Sequence, residues 1–196
     1  MRRRTLDALL TTGGLIVAAV LLVAGGLLTW ASNFVDNEVH SQLAAQRIVF
    51  PAKGSEQLND PLVKPYLEQY AGQQLTTGAQ AKAWADHYIK VHLDEATGGK
   101  TYSELSAAAR ANPDDPKAQG LVDLAFKGET LRGLLLNAYA FGTMGKIAMY
   151  AAWASFIGAA AMLALSLLGL RHLRRVPADE EVGAPAPRAA VKPAIA

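Results

Sequence analysis

The chain has 196 residues, of which 51% are hydrophobic, and its formal net charge at pH 7 is +2. This length predicts one compact domain together with membrane segments. Nucleic-acid binding has little support, because the arginines are concentrated beside two apolar runs. The chain contains no cysteine, which excludes disulfide bonds and thiol chemistry.

Residues 8–31 are predicted to form the first transmembrane helix, preceded by a cytoplasmic segment of residues 1–7. No charged residue lies between Asp7 and Asp36, and about 20 apolar residues are enough to cross a hydrocarbon core. The alternative is a cleaved signal peptide, but the apolar run is longer than the usual core of about 7–15 residues. Gly14 and Ala18 are four residues apart and predict a site of close helix packing, with ordinary lipid-facing composition as the alternative.

Residues 32–145 are predicted to form an extracytoplasmic helical domain. Apolar residues at every fourth position after the first span indicate that its helix continues with one face toward a partner; these are Val35, Val39 and Leu43. The sequence from Phe50 to Gly54 predicts a loop. Asp60-Pro61 then predicts the start of a short helix that ends by Gly72.

Three further helices are predicted before the second span. The first begins at Thr77 or Gly78 and ends at Gly98-Gly99, with an apolar face of Ala81, Trp84, Tyr88 and Val91 or His92. Thr101 to Glu104 forms a capping box for the second, which ends near Asn112-Pro113. Asp114-Asp115-Pro116 caps the third, which is predicted to stop at Gly128 and to turn inward the residues Leu121, Leu124 and Ala125.

Residues 146–171 are predicted to form the second transmembrane helix. A lysine at mid-membrane costs roughly 2.5–3.5 kcal/mol, so we place Lys146 at the outer edge, with the uncharged run from Ile147 to Leu170 in the bilayer. Ala151, Ser155 and Ala159 form a ridge of small residues that could serve the intrachain helix pair or a homodimer. Residues 172–196 form the cytoplasmic tail, which its proline and alanine content predicts to be disordered from about residue 178.

The arginines at positions 2, 3 and 4 and at positions 171, 174 and 175 flank the outer ends of the two apolar runs. By the positive-inside rule this pattern predicts a multi-pass protein of the cell membrane with both termini in the cytoplasm. The predicted fold class is all-α, with two antiparallel transmembrane helices that extend into an extracytoplasmic helical bundle.

The uncharged segment from Gly133 to Gly145 is the feature that stands out most for function. We favour a core helix of the outer bundle here. The alternative is a hinge or partner-docking surface at the membrane face, formed by Asn137, Tyr139, Phe141, Gly142 and Gly145.

No catalytic, cofactor or metal residues are predicted. His87 and His92 are five residues apart, whereas two metal ligands on one helix need a spacing of three or four. Asp86 with Lys90, and Lys90 with Asp94, are predicted to form solvated ion pairs at a spacing of four residues.

Several stretches resemble a family of uncharacterised two-span membrane proteins from actinobacteria. They cover most of the chain from Leu15 to Val176 and are VHSQLAAQ, YLEQYAGQQL, ADHYIKVHL followed by GGKTYSEL, and GETLRGLLLNAYAFGTMGKIAMYAA. The resemblance implies the architecture but no established activity. Some members are labelled aromatic ring-opening dioxygenase. That enzyme needs two histidines and a carboxylate around open iron positions, a set that this sequence does not bring together, so we expect the label not to apply.

The function predicted from these features is that of a non-enzymatic structural or accessory protein of the cell envelope. Its predicted partners are the lipid bilayer and another membrane or envelope protein or a second copy of the chain, without nucleic acid. The alternative is a ligand-binding or sensory module that acts through a partner. A transporter component is a weaker third hypothesis. A ligand-binding module predicts a pocket lined by Trp84, Tyr88 or Tyr139 with a few polar groups, whereas an accessory subunit predicts an exposed apolar patch.

Overall fold

The computed structural model describes residues 2–177 and residue 182, and in this part of the chain the structure is all-helical. The predicted fold class is confirmed at that level. Two helices are long, α1 (Arg3–Ala45) and α7 (Pro116–Leu173). Between them lie α2 (Glu56–Asn59), α3 (Lys64–Leu67), a 3-10 turn (Glu68–Tyr70), α4 (Gly78–Trp84), a π-helical turn (Ala85–Ile89), α5 (Lys90–Thr97) and α6 (Tyr102–Ala111).

Both α1 and α7 are long and apolar enough to cross a membrane. The chain divides into two compact units, and each long helix contributes a segment to each unit. One unit, which we call the apolar helix pair, comprises the described residues of Met1–Leu28 and Ala151–Ala196. The other, the helical domain, is Thr29–Tyr150. The predicted disorder of the tail from about residue 178 falls almost wholly outside the described residues.

The buried residues of the apolar helix pair recur every seventh position. On α1 they are Thr11, Ala18 and Gly25, and on α7 they are Ala152, Ala159 and Ser166. A seven-residue repeat is the spacing with which two helices pack along a continuous seam. Because most of these residues are small, the two backbones can approach closely.

The core of the helical domain is built largely by the segment between α1 and α4. Phe50, Leu58, Val63, Leu67 and Leu75 are almost completely buried and pack with Leu43, Ala81, Ala85 and Leu135. The Phe50 ring meets Trp84 edge-on at 5.1 Å between ring centroids and lies 5.2 Å from Tyr70. Of these core residues, only Phe50 lies in the stretch from Phe50 to Gly54 that was predicted as a loop.

Backbone hydrogen bonds hold this segment together without a strand in the described residues. The Phe50 amide donates to the Gln73 carbonyl at 2.9 Å, and the Leu75 amide donates to the Ile48 carbonyl at 2.8 Å. The short helix predicted to end by Gly72 is present as α3 and the 3-10 turn, but its predicted start at Asp60 was wrong, because α3 begins at Lys64. The Asp60 carboxylate accepts from the Leu62 amide at 2.7 Å and forms a turn instead.

The predicted helix boundaries around α4, α5 and α6 are confirmed. Thr77 and Thr101 each form a capping box, with Gln80 and Glu104 respectively, and Gly98 ends α5 in the left-handed region with a φ of 64°. The two hydrogen bonds that Thr101 donates lower the pKa of the Glu104 carboxyl. The predicted apolar face omitted Ala85 and Leu93, both of which are buried.

The prediction that a helix stops at Gly128 was wrong, since α7 runs through this residue without interruption. A Cβ at Gly128 would lie 2.9 Å from the Leu93 side chain, so the glycine provides room for α5 to pack against α7. Ala125 is fully buried as predicted, but Leu124 is 42% exposed and does not face inward.

Candidate functional site

The helical domain contains an open groove of about 580 Å³ between α1 and α7. We call it the α1–α7 groove. It is lined by Phe34, Val35, Glu38, Val39, Gln42 and Leu43 of α1, by Gln46, Ile48, Trp84 and Ile89, and by Leu131, Leu134, Leu135, Asn137, Ala138 and Phe141 of α7.

Helical periodicity explains both long walls of this groove. The residues that α1 contributes lie at spacings of one, three and four, which places them on one face of the helix. Most of those from α7 follow the same rule. The amphipathic stripe of Val35, Val39 and Leu43 was predicted to face a partner, and that partner within the domain is α7.

The apolar side chains of the groove fall into a buried group and an exposed group. Leu43 and Leu135 are buried among the core residues. In contrast, Leu131, Leu134, Phe34 and Phe141 each leave more than half of their surface exposed. An apolar site that is open on one side can bind a ligand, because contact with that ligand would remove these side chains from water.

The polar groups of the groove are few. Glu38 and Gln42 lie one turn apart on α1, and Gln46 follows directly after its end. The Gln42 amide donates to the Glu38 carboxylate at 2.5 Å. Asn137 adds one amide from α7. A small number of polar side chains in an apolar site can fix the orientation of a ligand.

Trp84 is held in position by its aromatic neighbours. Its ring stacks on Tyr88 at 4.1 Å between centroids and meets the edge of Phe50. Trp84 precedes the π-helical turn, in which the Ala85 carbonyl accepts the Lys90 amide at a spacing of five residues. That carbonyl also accepts the Arg132 Nε–H at 3.0 Å, so α7 is joined directly to the turn beside Trp84.

Asp86 completes this connection by pairing with cations of two helices. Its carboxylate contacts Lys82 Nζ at 2.6 Å and an Arg132 guanidinium nitrogen at 3.2 Å. Burial alone would raise the pKa of Asp86, but the hydrogen bonds and charges of Lys82 and Arg132 outweigh burial and lower it. The hydrogen bond with Asp86 likewise raises the pKa of Lys82.

The predicted ion pairs are confirmed in one case and wrong in the other. Lys90 Nζ contacts Asp94 at 2.6 Å as predicted. Asp86 does not pair with Lys90, because it is engaged by Lys82 one turn earlier and by Arg132 from α7.

The residues proposed as a hinge or docking surface lie in different surroundings. Asn137 and Phe141 line the groove. The Tyr139 ring faces Lys82, whose Nζ is 5.3 Å from the ring centroid. Gly142 lies close to Gly78, and a Cβ at Gly145 would be 3.2 Å from Val35. Each glycine therefore allows a close helix contact, and α7 stays helical through both.

The small residues predicted for helix packing lie in the apolar helix pair. Ala18 and Ala159 are fully buried, whereas Gly14, Ala151 and Ser155 are half-buried. The Ser155 hydroxyl donates to the Ala151 carbonyl at 2.9 Å, within its own helix.

Sequence reasoning missed several residues of this seam. A Cβ built on Gly14 would lie 2.4 Å from Ser166 Oγ, and one on Gly169 would lie 2.5 Å from Thr11 Oγ1. Each helix therefore places a hydroxyl over a glycine of the other. Thr11, Ser166 and Gly169 are the residues that were missed. Thr11 and Ser166 lie seven residues from Ala18 and Ala159, and this spacing was the signal that would have identified these two.

His87 and His92 of the helical domain contact the aromatic rings of Tyr66 and Tyr88. His87 stacks on Tyr66 with 3.5 Å between centroids, and His92 Nδ1 lies 2.8 Å from the Tyr88 carbonyl oxygen. Within residues 2–177 and residue 182, no three histidines or carboxylates come together in a group that could hold a metal ion.

Comparison with family models, curated proteins and solved structures gives no match for this chain. The resemblance to the actinobacterial two-span family stays a prediction. The class that the structure defines is an all-helical protein with two helices long and apolar enough to cross a membrane.

Proposed function

We propose that the chain is an integral protein of the cell membrane with two antiparallel spans, cytoplasmic termini and residues 32–145 outside the cytoplasm. The arginines that flank both apolar runs support this topology. The contacts of the apolar helix pair support the antiparallel arrangement: Thr11, Gly14 and Gly25 approach Gly169, Ser166 and Phe156 respectively. As residue numbers rise along α1, the numbers of the residues contacted on α7 fall, which is the pattern of antiparallel helices.

The role proposed for the outer domain is non-enzymatic binding of an elongated, mostly apolar ligand in the α1–α7 groove. A partner protein would respond to whether the groove is occupied. The observation that carries this proposal is the groove itself. Its volume of about 580 Å³ lies within the range of roughly 300–1,000 Å³ that ligand sites occupy. Trp84 lines this groove, and Trp84 is one of the residues that were predicted to line the pocket of a ligand-binding module. Three of its four polar lining residues are amides, which orient a ligand without exchanging protons.

A structural or accessory subunit is the second candidate function. It is favoured by the exposed apolar side chains that α7 presents at the groove, namely Leu131, Leu134 and Phe141. An exposed apolar patch of this kind is typical of a surface that contacts another protein. The partner would be another membrane or envelope protein, or a second copy of the chain.

The binding role can be tested with an apolar fluorophore, 1-aminoanthracene, and the purified full chain. Binding would be followed by energy transfer from Trp84 in a Trp30→Phe, Trp153→Phe background. Ala138→Phe fills the groove and should weaken binding by about tenfold or more, which corresponds to about 1.4 kcal/mol. Ala140→Phe is the matched control, because Ala140 is exposed on the same helix and does not line the groove. Equal affinity of the two variants would contradict the proposal.

A further inference from the structure

The shape of the α1–α7 groove favours an elongated ligand. Its α7 wall, from Leu131 to Phe141, is about 15 Å long at a rise of 1.5 Å per residue. The groove is open on one side, so an extended chain can lie along this wall.

The charge of the lining indicates which part of a ligand enters. Glu38 is the only charged residue among the described residues that line the groove, and its carboxylate already accepts the Gln42 amide. The lining thus offers no cation to an anionic group. The buried side chains of Leu43 and Leu135 suit hydrocarbon.

The position of the groove along the helices indicates where its ligand comes from. Phe34 lies one turn after Trp30, and Phe141 lies five residues before Lys146. Trp30 and Lys146 are residue types that mark the edge of a bilayer. In the proposed topology, one end of the groove, with two exposed phenylalanine rings, therefore lies at the lipid surface.

From these three observations we infer that the α1–α7 groove takes hydrocarbon of a bilayer phospholipid, which enters past Phe34 and Phe141 while the head group stays outside. This inference rests on the proposed binding role and names its ligand class. Trp84 lines the groove well beyond the predicted membrane edge, so it should contact the lipid chain.

The test is quenching of Trp84 by brominated lipid chains. The full chain with Trp30→Phe and Trp153→Phe, which retains Trp84, is reconstituted into phosphatidylcholine vesicles with or without bromine on the acyl chains. We expect about twofold lower Trp84 emission in the brominated vesicles, because lining side chains are within contact distance of the ligand. The variant that retains only Trp30, an exposed residue of α1, is the positive control.

Two charge substitutions on α7 provide the specificity control. Leu134→Glu places a carboxylate in the groove at a position that is 61% exposed, and it should abolish most of the Trp84 quenching. Leu124→Glu makes the same change outside the groove and should leave quenching unaltered. Ala138→Phe, which fills the groove without a charge, should act like Leu134→Glu.

Unquenched Trp84 in a sample whose Trp30 control is quenched would overturn the inference, and so would quenching that persists unchanged in Leu134→Glu and Ala138→Phe. Its failure is distinguishable from failure of the binding role. If 1-aminoanthracene binds in an Ala138-dependent way while brominated lipid leaves Trp84 unaffected, the ligand class is wrong and the binding role stands.

Discussion

Asp86 shows how one side chain holds the wall of the groove in place. It lies in the π-helical turn next to Trp84 and pairs with Lys82 of α4 and with Arg132 of α7. Because Arg132 also donates to the Ala85 carbonyl, the two contacts fix the turn to α7. A π-helical turn is often found at a functional site, and here it adjoins a residue that lines the groove.

Asp86→Asn should lower the stability of the domain at neutral pH by about 1–3 kcal/mol, the usual cost of losing charged hydrogen bonds. The pKa of Asp86 is below the ordinary value of 3.8. Its stabilising contribution is therefore complete above pH 3.8 and is lost as the pH falls through the lower native pKa. Thermal unfolding in detergent, compared at pH 7 and at progressively lower pH, measures both effects.

The control for this prediction is Asp94→Asn, which removes an exposed pair with Lys90. Exposed pairs contribute about 0–1 kcal/mol, so this variant should change the unfolding temperature little. If the wild type and Asp86→Asn lost the same stability on acidification, Asp86 would not be the group responsible.

The burial of Phe50 could not be predicted from the sequence. It is 1% exposed and contacts both Trp84 and Tyr70, yet it lies in a segment with neither helical nor strand periodicity. The Thr77 and Thr101 caps were predictable because their hydrogen bonds connect residues only three apart. Burial of Phe50 depends on residues far along the chain, which no local pattern encodes.

Among the elements, the seam of the apolar helix pair makes a specific geometric prediction. A Cβ on Gly14 would lie 3.8 Å from Ser166 Cβ, close to the mean separation of about 3.8 Å in disulfides. The double variant Gly14→Cys, Ser166→Cys should therefore form an intramolecular disulfide on mild oxidation, read as a mobility shift on a non-reducing gel. The chain has no cysteine that would interfere.

The matched control for this disulfide is Gly13→Cys with Ser166→Cys. A Cβ on Gly13 meets nothing within 4 Å, so this pair should remain reduced or crosslink between molecules. Equal intramolecular crosslinking of the two pairs would contradict the contacts of the seam and, with them, the proposed antiparallel arrangement.

Helix α7 shows why element boundaries were harder to predict than element type. Glycine costs about 1 kcal/mol in a helix interior, so Gly128 was a reasonable place for a helix to end. In the folded domain this cost is offset because the absence of a side chain lets Leu93 pack against the helix. The stripe that lines the groove on α1 was predicted, but the distance between α1 and α7 that leaves the groove open follows only from the assembled core.

At the scale of the whole molecule, the proposed membrane topology places one end of the proposed binding site at the bilayer. The length and composition of the two apolar runs predicted the long helices, and the arginine distribution predicts which side of the membrane holds each segment. The groove depends on this topology for its ligand, because lipid is available only at an end that reaches the bilayer.

The most direct test is labelling of single cysteines in intact cells with a membrane-impermeant maleimide. Lys100→Cys lies at an exposed position of the helical domain, and Val182→Cys at an exposed position beyond α7. The account predicts that Lys100→Cys is labelled in intact cells and that Val182→Cys is labelled only after lysis. Protection of Lys100→Cys in intact cells, with labelling after lysis, would contradict it.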